Sequence, residues 1–306
     1  MNEYIFRCRN IKKLYKKDKV LDNISMNIRK GDIYGLIGKN GAGKTTMIRV
    51  ISGHIIPNHG QVELFGYSEN KEITTQRSRM GALIESPAIY LNMTSKENLK
   101  LIKIQRGIPG TKCIDETLDL VGLKDAEYKK TKNLSLGMKQ RLGIAMALLS
   151  DPEFLILDEP INGLDPIGIK QIRELLLRIN QERGTTILVS SHILSELTQI
   201  ANRYGFINNG KLVEEIKADE LISKCRNYIN LKVKDSTNVS VILEKELGIS
   251  DYEVFPHNSI RIYDEFDCEK ITLSLAKHNI GVTEIIQRGE SLEDYFTNLV
   301  GGKGNE

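Results

Sequence analysis

Short apolar runs alternate along this chain with stretches of helical periodicity, and the alternation predicts an α/β protein. Ile33 to Ile37 (IYGLI) and Phe154 to Leu157 (FLIL) are continuous apolar runs, and Thr186 to Ser190 (TILVS) is a third; each predicts a buried strand. A helical stretch running to about Ser52 follows the first strand. Met138, Leu142, Met146 and Leu149 recur at helical spacing and predict one apolar stripe that anchors a helix to a core. Tyr204 to Glu214, with Asn209-Gly210 at its middle, predicts a hairpin.

Beyond that hairpin the pattern changes. A helix is predicted over Ala218 to Cys225, then strand-like YINLKVK, helix-like NVSVILEKEL, and strands near Tyr252 to Phe255 and Ile260 to Tyr263. A helix from about Cys268 to Asn279 and strand VTEIIQ follow. The order β-α-β-β-α-β is that of a ferredoxin-like module; a last helix, Ser291 to Leu299, is expected to pack back on it. The domain expectation is residues 1–217 for the first domain, with a helical subdomain over about 87–150, and residues 218–306 for an accessory α+β domain.

At 306 residues the chain exceeds what one core usually organises, which agrees with two domains. A net charge of +3 and a pI near 8.5 are too mild for a nucleic-acid binder, so no nucleic-acid partner is expected. The lysines of KKLYKKDK, Lys12 to Lys19, read as a solvated face. Cys8, Cys113, Cys225 and Cys268 are far apart and include no CxxC pair, which argues against a zinc site or a disulfide framework and fits a reducing cytosol. No apolar run approaches the ~18 residues of a membrane span, and MNEYIFRCRN lacks the apolar centre of a leader. There is no internal repeat or extended heptad pattern, so a compact, soluble chain is expected.

Chemistry enters at residues 38 to 46, GKNGAGKTT. A glycine-rich loop between a strand and a helix lets backbone N–H groups converge on a phosphate at a helix N-terminus. Gly38, Gly41 and Gly43 make the turn possible, and Lys39, Asn40 and Ala42 complete it. Lys44 brings a charge to the β- and γ-phosphates, Thr45 a hydroxyl to Mg²⁺, and Thr46 a contact to the α-phosphate. FLIL ends in Asp158-Glu159-Pro160. A strand delivers such carboxylates to the C-terminal edge of an open α/β sheet, where ligands bind. Asp158 is expected to hold Mg²⁺ and Glu159 to polarise the attacking water.

Between these motifs lies Leu134-Ser135-Leu136-Gly137-Met138-Lys139-Gln140. It resembles the LSGGQ-like signature of the ABC ATPases, with Leu136 replacing a glycine, and several further residues match that family. The resemblance implies that Ser135 and Gly137 meet a γ-phosphate and that Gly163-Leu164-Asp165-Pro166 is a D-loop whose Asp165 reaches across a dimer interface. It also implies that His192 is the switch histidine and that Tyr15 stacks on adenine; a half-buried tyrosine in a hairpin is the rival reading for Tyr15. Five motifs occur in the family's order over Asn2 to about Lys217. The fold class implied is an α/β P-loop NTPase: an ABC ATPase core with antiparallel β and helical subdomains, plus the small ferredoxin-like module.

Most members of the family place a glutamine between the core and the helical subdomain. In GALIESPAIYLNMTSKENL that position is Glu85, with Gln76 as the rival assignment. A carboxylate there needs Mg²⁺ or a basic neighbour to persist as an anion; a solvated loop acid is the plain alternative. This context and LSLGMKQRLGIA both resemble the bacitracin-resistance and lantibiotic-immunity ATP-binding proteins. The resemblance implies an ATPase using ATP and Mg²⁺, a head-to-tail homodimer, and a separately encoded permease holding the chain at the cytoplasmic face of the membrane. It implies export of a peptide antibiotic. Export of a drug, lipid or sodium, and a soluble ABC ATPase without transport, are the alternatives. In the C-terminal part, the acids Asp264, Glu265 and Asp267 lack the spacing of a metal loop and read as a solvated turn.

Overall fold

The structure is a computed structural model, and it describes residues 3–16, 18–225, 227–234, 238–264, 266–288 and 292–301. The chain forms two compact units, Met1–Ala218 and Asp219–Glu306. In chain order the first unit contains β1 (Tyr4–Tyr15), β2 (Asp18–Arg29), β3 (Ile33–Ile37), α1 (Lys44–Ser52), β4 (His59–Leu64), α2 (Asn70–Gln76) and β5 (Met80–Leu83). Helices α3 (Ser95–Gln105), α4 (Lys112–Leu120) and α5 (Leu136–Leu148) come next. They precede β6 (Phe154–Leu157), α6 (Pro166–Arg183), β7 (Thr186–Ser191), α7 (Leu194–Leu197), β8 (Arg203–Asn208) and β9 (Lys211–Lys217). A further helix, α8 (Ala218–Lys224), begins at the boundary.

The central sheet runs β5-β6-β7-β3-β8-β9. Five of its strands pair in parallel and only β9 is antiparallel, joined to β8 by the turn Asn209-Gly210. Every residue of β3, β6 and β7 is buried, which is why these segments read as continuous apolar runs rather than as alternation. A second, antiparallel sheet has the order β2-β1-β4. Its buried face, Phe6, Cys8, Leu21, Ile24, Met26 and Ile28 among others, joins Leu36, Met47, Ile48, Phe154 and Leu188 in one core.

Helix α5 departs from its predicted form. One apolar stripe was expected at Met138, Leu142, Met146 and Leu149; instead Met138 and Met146 are half-buried while Gly143, Ile144, Ala145 and Ala147 are fully buried beside Leu142. From Leu142 onward only Met146 is not fully buried. Its small residues let neighbours approach closely: a Cβ on Gly143 would stand 2.7 Å from Pro87, and one on Gly81 of β5 would stand 2.2 Å from the Ala147 carbonyl. A segment apolar all round, as Leu142–Leu148 is, is buried in the core and not amphipathic.

The second unit contains β10 (Tyr228–Val233), α9 (Val239–Lys245), β11 (Tyr252–Phe255), β12 (Ser259–Ile262), α10 (Cys268–Lys277), β13 (Val282–Arg288) and α11 (Leu292–Gly301). All pairings in its sheet, order β11-β12-β10-β13, are antiparallel. Ile229, Leu231, Val233, Ile260 and Ile262 share a core with Val239, Ile242, Leu243, Ile271 and Leu275, so both helices cover the same face. This is a split βαβ arrangement. Ser291 and Glu265 lie outside the described residues. The other two acids of the predicted turn serve the backbone: Asp264 accepts the N–H groups of Ser250 and Asp251, and Asp267 caps α10.

Candidate nucleotide site

Three adjacent parallel strands deliver the functional loops to one sheet edge. Ile37 at the end of β3 is in register with Ser191 of β7, and Leu157 at the end of β6 is in register with Val189. The phosphate-binding loop, the Asp158-Glu159 pair and His192 therefore emerge side by side at the C-terminal ends of β3, β6 and β7. Ligands of open α/β sheets bind at that edge.

The loop's glycines have distinct tasks. Gly41 and Gly43 carry φ of +80° and +110°, a conformation L side chains rarely adopt. At Gly43 a Cβ would also stand 3.0 Å from the Val20 carbonyl. Gly38 also needs to lack a Cβ, but not because of a positive φ. Its constraint is crowding, because a Cβ would meet the Ile207 carbonyl at 2.5 Å. Lys39, Asn40 and Gly41 form the exposed rim, while Ala42, Gly43 and Lys44 are buried. Thr45 and Thr46 follow Lys44 in the first turn of α1, where backbone N–H groups and the helix dipole favour an anion.

Lys44 is only 6% exposed and its ammonium is turned inward. Nζ donates to the carbonyls of Gly38, at 2.6 Å, and Lys39, at 3.3 Å, and lies 3.2 Å from Glu159 Oε1. The last contact is an ion pair without hydrogen-bond geometry, and Oε1 has no hydrogen-bond partner among the described residues. The second oxygen, Oε2, is 2.9 Å from His192 Nδ1. Glu159 itself holds φ of +49°, an uncommon value that a fixed surrounding must impose.

Asp158 is 1% exposed. Its Oδ1 accepts from the Ser190 hydroxyl at 2.6 Å, and the same Ser190 oxygen accepts the Glu159 N–H at 2.9 Å. Ser190 thus fixes both acids from the neighbouring strand, a role the sequence reading missed. A buried carboxylate oxygen and a threonine hydroxyl are hard donors of the kind Mg²⁺ takes when phosphates complete its shell. No cluster of three or more His, Cys, Asp or Glu able to hold a metal occurs among the described residues.

The remaining candidates lie elsewhere in the unit. Ser135 caps α5, accepting from the Met138 N–H, and Gly137 follows in its first turn. Asp165 caps α6, accepting from Gly168, with Pro166 at the first helical position. Among the described residues no hydrogen bond or ion pair joins Ser135 or Asp165 to Lys44, Glu159 or His192. Tyr15 is 43% exposed at the tip of the β1–β2 hairpin, paired with Asp18, with the Lys13 ammonium 5.3 Å from its ring centroid. That hairpin is tied to the phosphate loop through Gly210, whose carbonyl accepts from Asp22 N–H and whose N–H donates to Ala42. The Asn209-Gly210 signal revealed the turn but not this bridge.

Glu85 follows β5 with φ of +61° and pairs with Arg49 of α1 at 2.5 Å. The basic neighbour that a carboxylate needs here is therefore supplied by the helix that starts at Lys44. Gln76 ends α2 and accepts from Arg79.

Comparison with known proteins agrees with this geometry. The protein-family profile described as ABC transporter matches residues 21–162. The bacitracin transport ATP-binding protein BcrA of Bacillus licheniformis is 44% identical over 302 residues, covering 97% of this chain and 98% of that protein. The lantibiotic transport ATP-binding protein SrtF of Streptococcus pyogenes is 40% identical over 215 residues, 70% of this chain and 92% of that protein. Among solved structures, the dimeric post-hydrolysis state of the ATP-binding cassette MJ0796 bound to ADP and Pi superposes with a TM-score of 0.63 at 26% identity. It covers 70% of this chain and 98% of that one. The matched cassette and the convergence of phosphate loop, paired acids and histidine at one sheet edge lead to one conclusion: the chain belongs to the ATP-binding proteins of ABC transporters and is an ATPase.

Proposed function

We propose that this chain powers a separately encoded permease that expels a peptide antibiotic of the bacitracin type. The observation that carries the reading is the 44% identity to a bacitracin transport ATP-binding protein along 97% of the chain, second unit included. The likeness to the lantibiotic protein covers 70% of the chain, which favours the bacitracin class over the lantibiotic class. No helix among the described residues is long and apolar enough to cross a membrane; the likeness to transport ATP-binding proteins is what supports assigning the membrane path to the permease and the chain to its cytoplasmic face.

In this reading two copies pack head to tail. Lys44, Thr45, Thr46 and the loop N–H groups of one copy hold the triphosphate, and Ser135, Gly137 and Asp165 of the other close over it. That division agrees with the finding that, among the described residues, no hydrogen bond or ion pair joins the two groups within one chain. Tyr15 offers its ring to the adenine. Asp158 and Thr45, with Glu85, are assigned to Mg²⁺, which when bound neutralises phosphate charge. Glu159 takes the proton of the attacking water and His192 holds the carboxylate in place from Oε2. ATP shifts the pair toward closure only by binding the closed form better, and two shared sites provide that difference.

A cleft of about 260 Å³ between β5, α3 and α5, bordered by Pro87, Ala88, Ile102 and Arg106, opens beside Glu85 and is assigned to the permease. Through Arg49 the loop there is tied to the phosphate-binding helix. Glu85→Gln is expected to change the Mg²⁺ dependence of the permease-stimulated ATPase; unchanged dependence and unchanged stimulation would assign Glu85 to the solvated surface.

The test of function compares cells carrying the intact transporter with cells carrying its Glu159→Gln form across bacitracin-like peptides, lantibiotics and unrelated drugs. Selective sensitisation to bacitracin-like peptides is expected. Sensitisation to lantibiotics alone moves the substrate class. No difference, with protein at the membrane, removes the resistance reading.

A further inference from the structure

Leu136, which stands where the family's signature has glycine, has a structural counterpart within the same chain. It opens α5 yet is 56% exposed, and Ile167, in the first turn of α6, is 68% exposed. Large apolar side chains left on the surface at two helix starts invite the question of what holds them. For Leu136 the answer is the loop before α6. Its Cδ2 methyl lies 3.5 Å from the position a Cβ on Gly163 would take, and apart from the glycine's own chain neighbours nothing else comes within 4 Å of that position. The return contact comes from Leu164, whose Cδ2 lies 3.9 Å from the corresponding position on Gly137. Each segment lays a leucine over the other's glycine.

The two glycines differ in why they are glycines. Gly163 has φ of +75°, so a side chain there is strained whatever the space. Gly137 is helical and half-buried, with room on its open side up to the Leu164 methyl. Each segment is also fixed at its own end, by the Ser135 cap on α5 and the Asp165 cap on α6. The leucines therefore join two small ordered pieces, not two loose ones.

We propose that Leu136 is a positioning residue, clasping the signature start to the segment Gly163–Asp165 so that Ser135 and Asp165 meet the partner copy's nucleotide as one unit. The clasp itself is a property of the single chain; its consequence for closure rests on the head-to-tail reading above. Pre-ordering two segments that must dock together reduces the entropy lost at closure. Because much of Leu136 stays in water, the clasp contributes little to the stability of the fold and acts mainly on docking.

The test uses the full chain in a Glu159→Gln background, with Leu136→Ala, Leu136→Met, Leu164→Ala and the double alanine form. Without nucleotide, amide exchange at 162–165 is expected to quicken by about tenfold in Leu136→Ala and to stay at the parent rate in Leu136→Met. With ATP, self-association measured by sedimentation is expected to weaken by about tenfold in either alanine form and no further in the double, because one clasp is lost only once. Unmoved exchange in Leu136→Ala, or losses that add in the double form, would overturn the proposal. If the parent chain does not associate with ATP at all, the head-to-tail reading fails, and with it the docking consequence, while the exchange rates still decide whether the clasp exists.

Discussion

Glu159→Gln is expected to lower ATP turnover by ~10²–10⁴-fold while leaving ATP bound. The carboxylate sits between Lys44, 3.2 Å from Oε1, and His192, 2.9 Å from Oε2, at the end of β6. Glutamine keeps the shape and the position but cannot accept a proton, so the substitution separates basicity from placement. The backbone N–H of residue 159, held by Ser190, is untouched by the change. Phosphate release at saturating ATP, alongside binding of a fluorescent ATP analogue, reads the two effects independently. Normal turnover would assign the base elsewhere. Tighter binding with turnover unchanged would make Glu159 chiefly a partner of Lys44.

Lys44→Ala is expected to weaken ATP binding by at least about 100-fold, the range for truncating one member of a buried charge pair. The ammonium is buried and already held by two loop carbonyls, so its position next to the phosphates is set before nucleotide arrives. Removing it deletes the positive charge and leaves Glu159 facing the same space without compensation, which makes an incoming triphosphate less welcome still. Lys44→Arg is a useful control because it restores charge but not the compact geometry that fits beneath Gly38. Titration calorimetry with ATP and with ADP checks the effect; equal affinity for wild type and Lys44→Ala would remove the phosphate role from this residue.

Much of the candidate site's placement was legible because its parts are local. A strand, a turn and a helix start occupy consecutive residues from Ile33 to Ser52, and the strands β6 and β7 announce themselves by unbroken apolar runs. What escaped depends on pairing between distant segments. Ser190 reads as a polar strand end until register places it against Asp158, 32 positions away in sequence. Arg49 lies on a helix with no apparent concern with Glu85 until the fold brings them together. Helix α5 was misjudged for a different reason. A pattern of large apolar residues marks one face, but Gly143, Ala145 and Ala147 mark the places where backbone comes closest, and small residues leave no signature in a hydrophobicity pattern.

The inward turn of Lys44 toward Glu159 also means that this cassette carries its own competitor. A triphosphate that takes the lysine gives up its contact with Glu159, so the affinity for ATP is expected to be the difference between two attachments. A substitution that weakens the internal pairing while sparing the lysine raises nucleotide affinity, even as it removes the group that consumes the nucleotide. With Glu159 as the proposed base, affinity and turnover are expected to respond in opposite directions to a change at this one side chain.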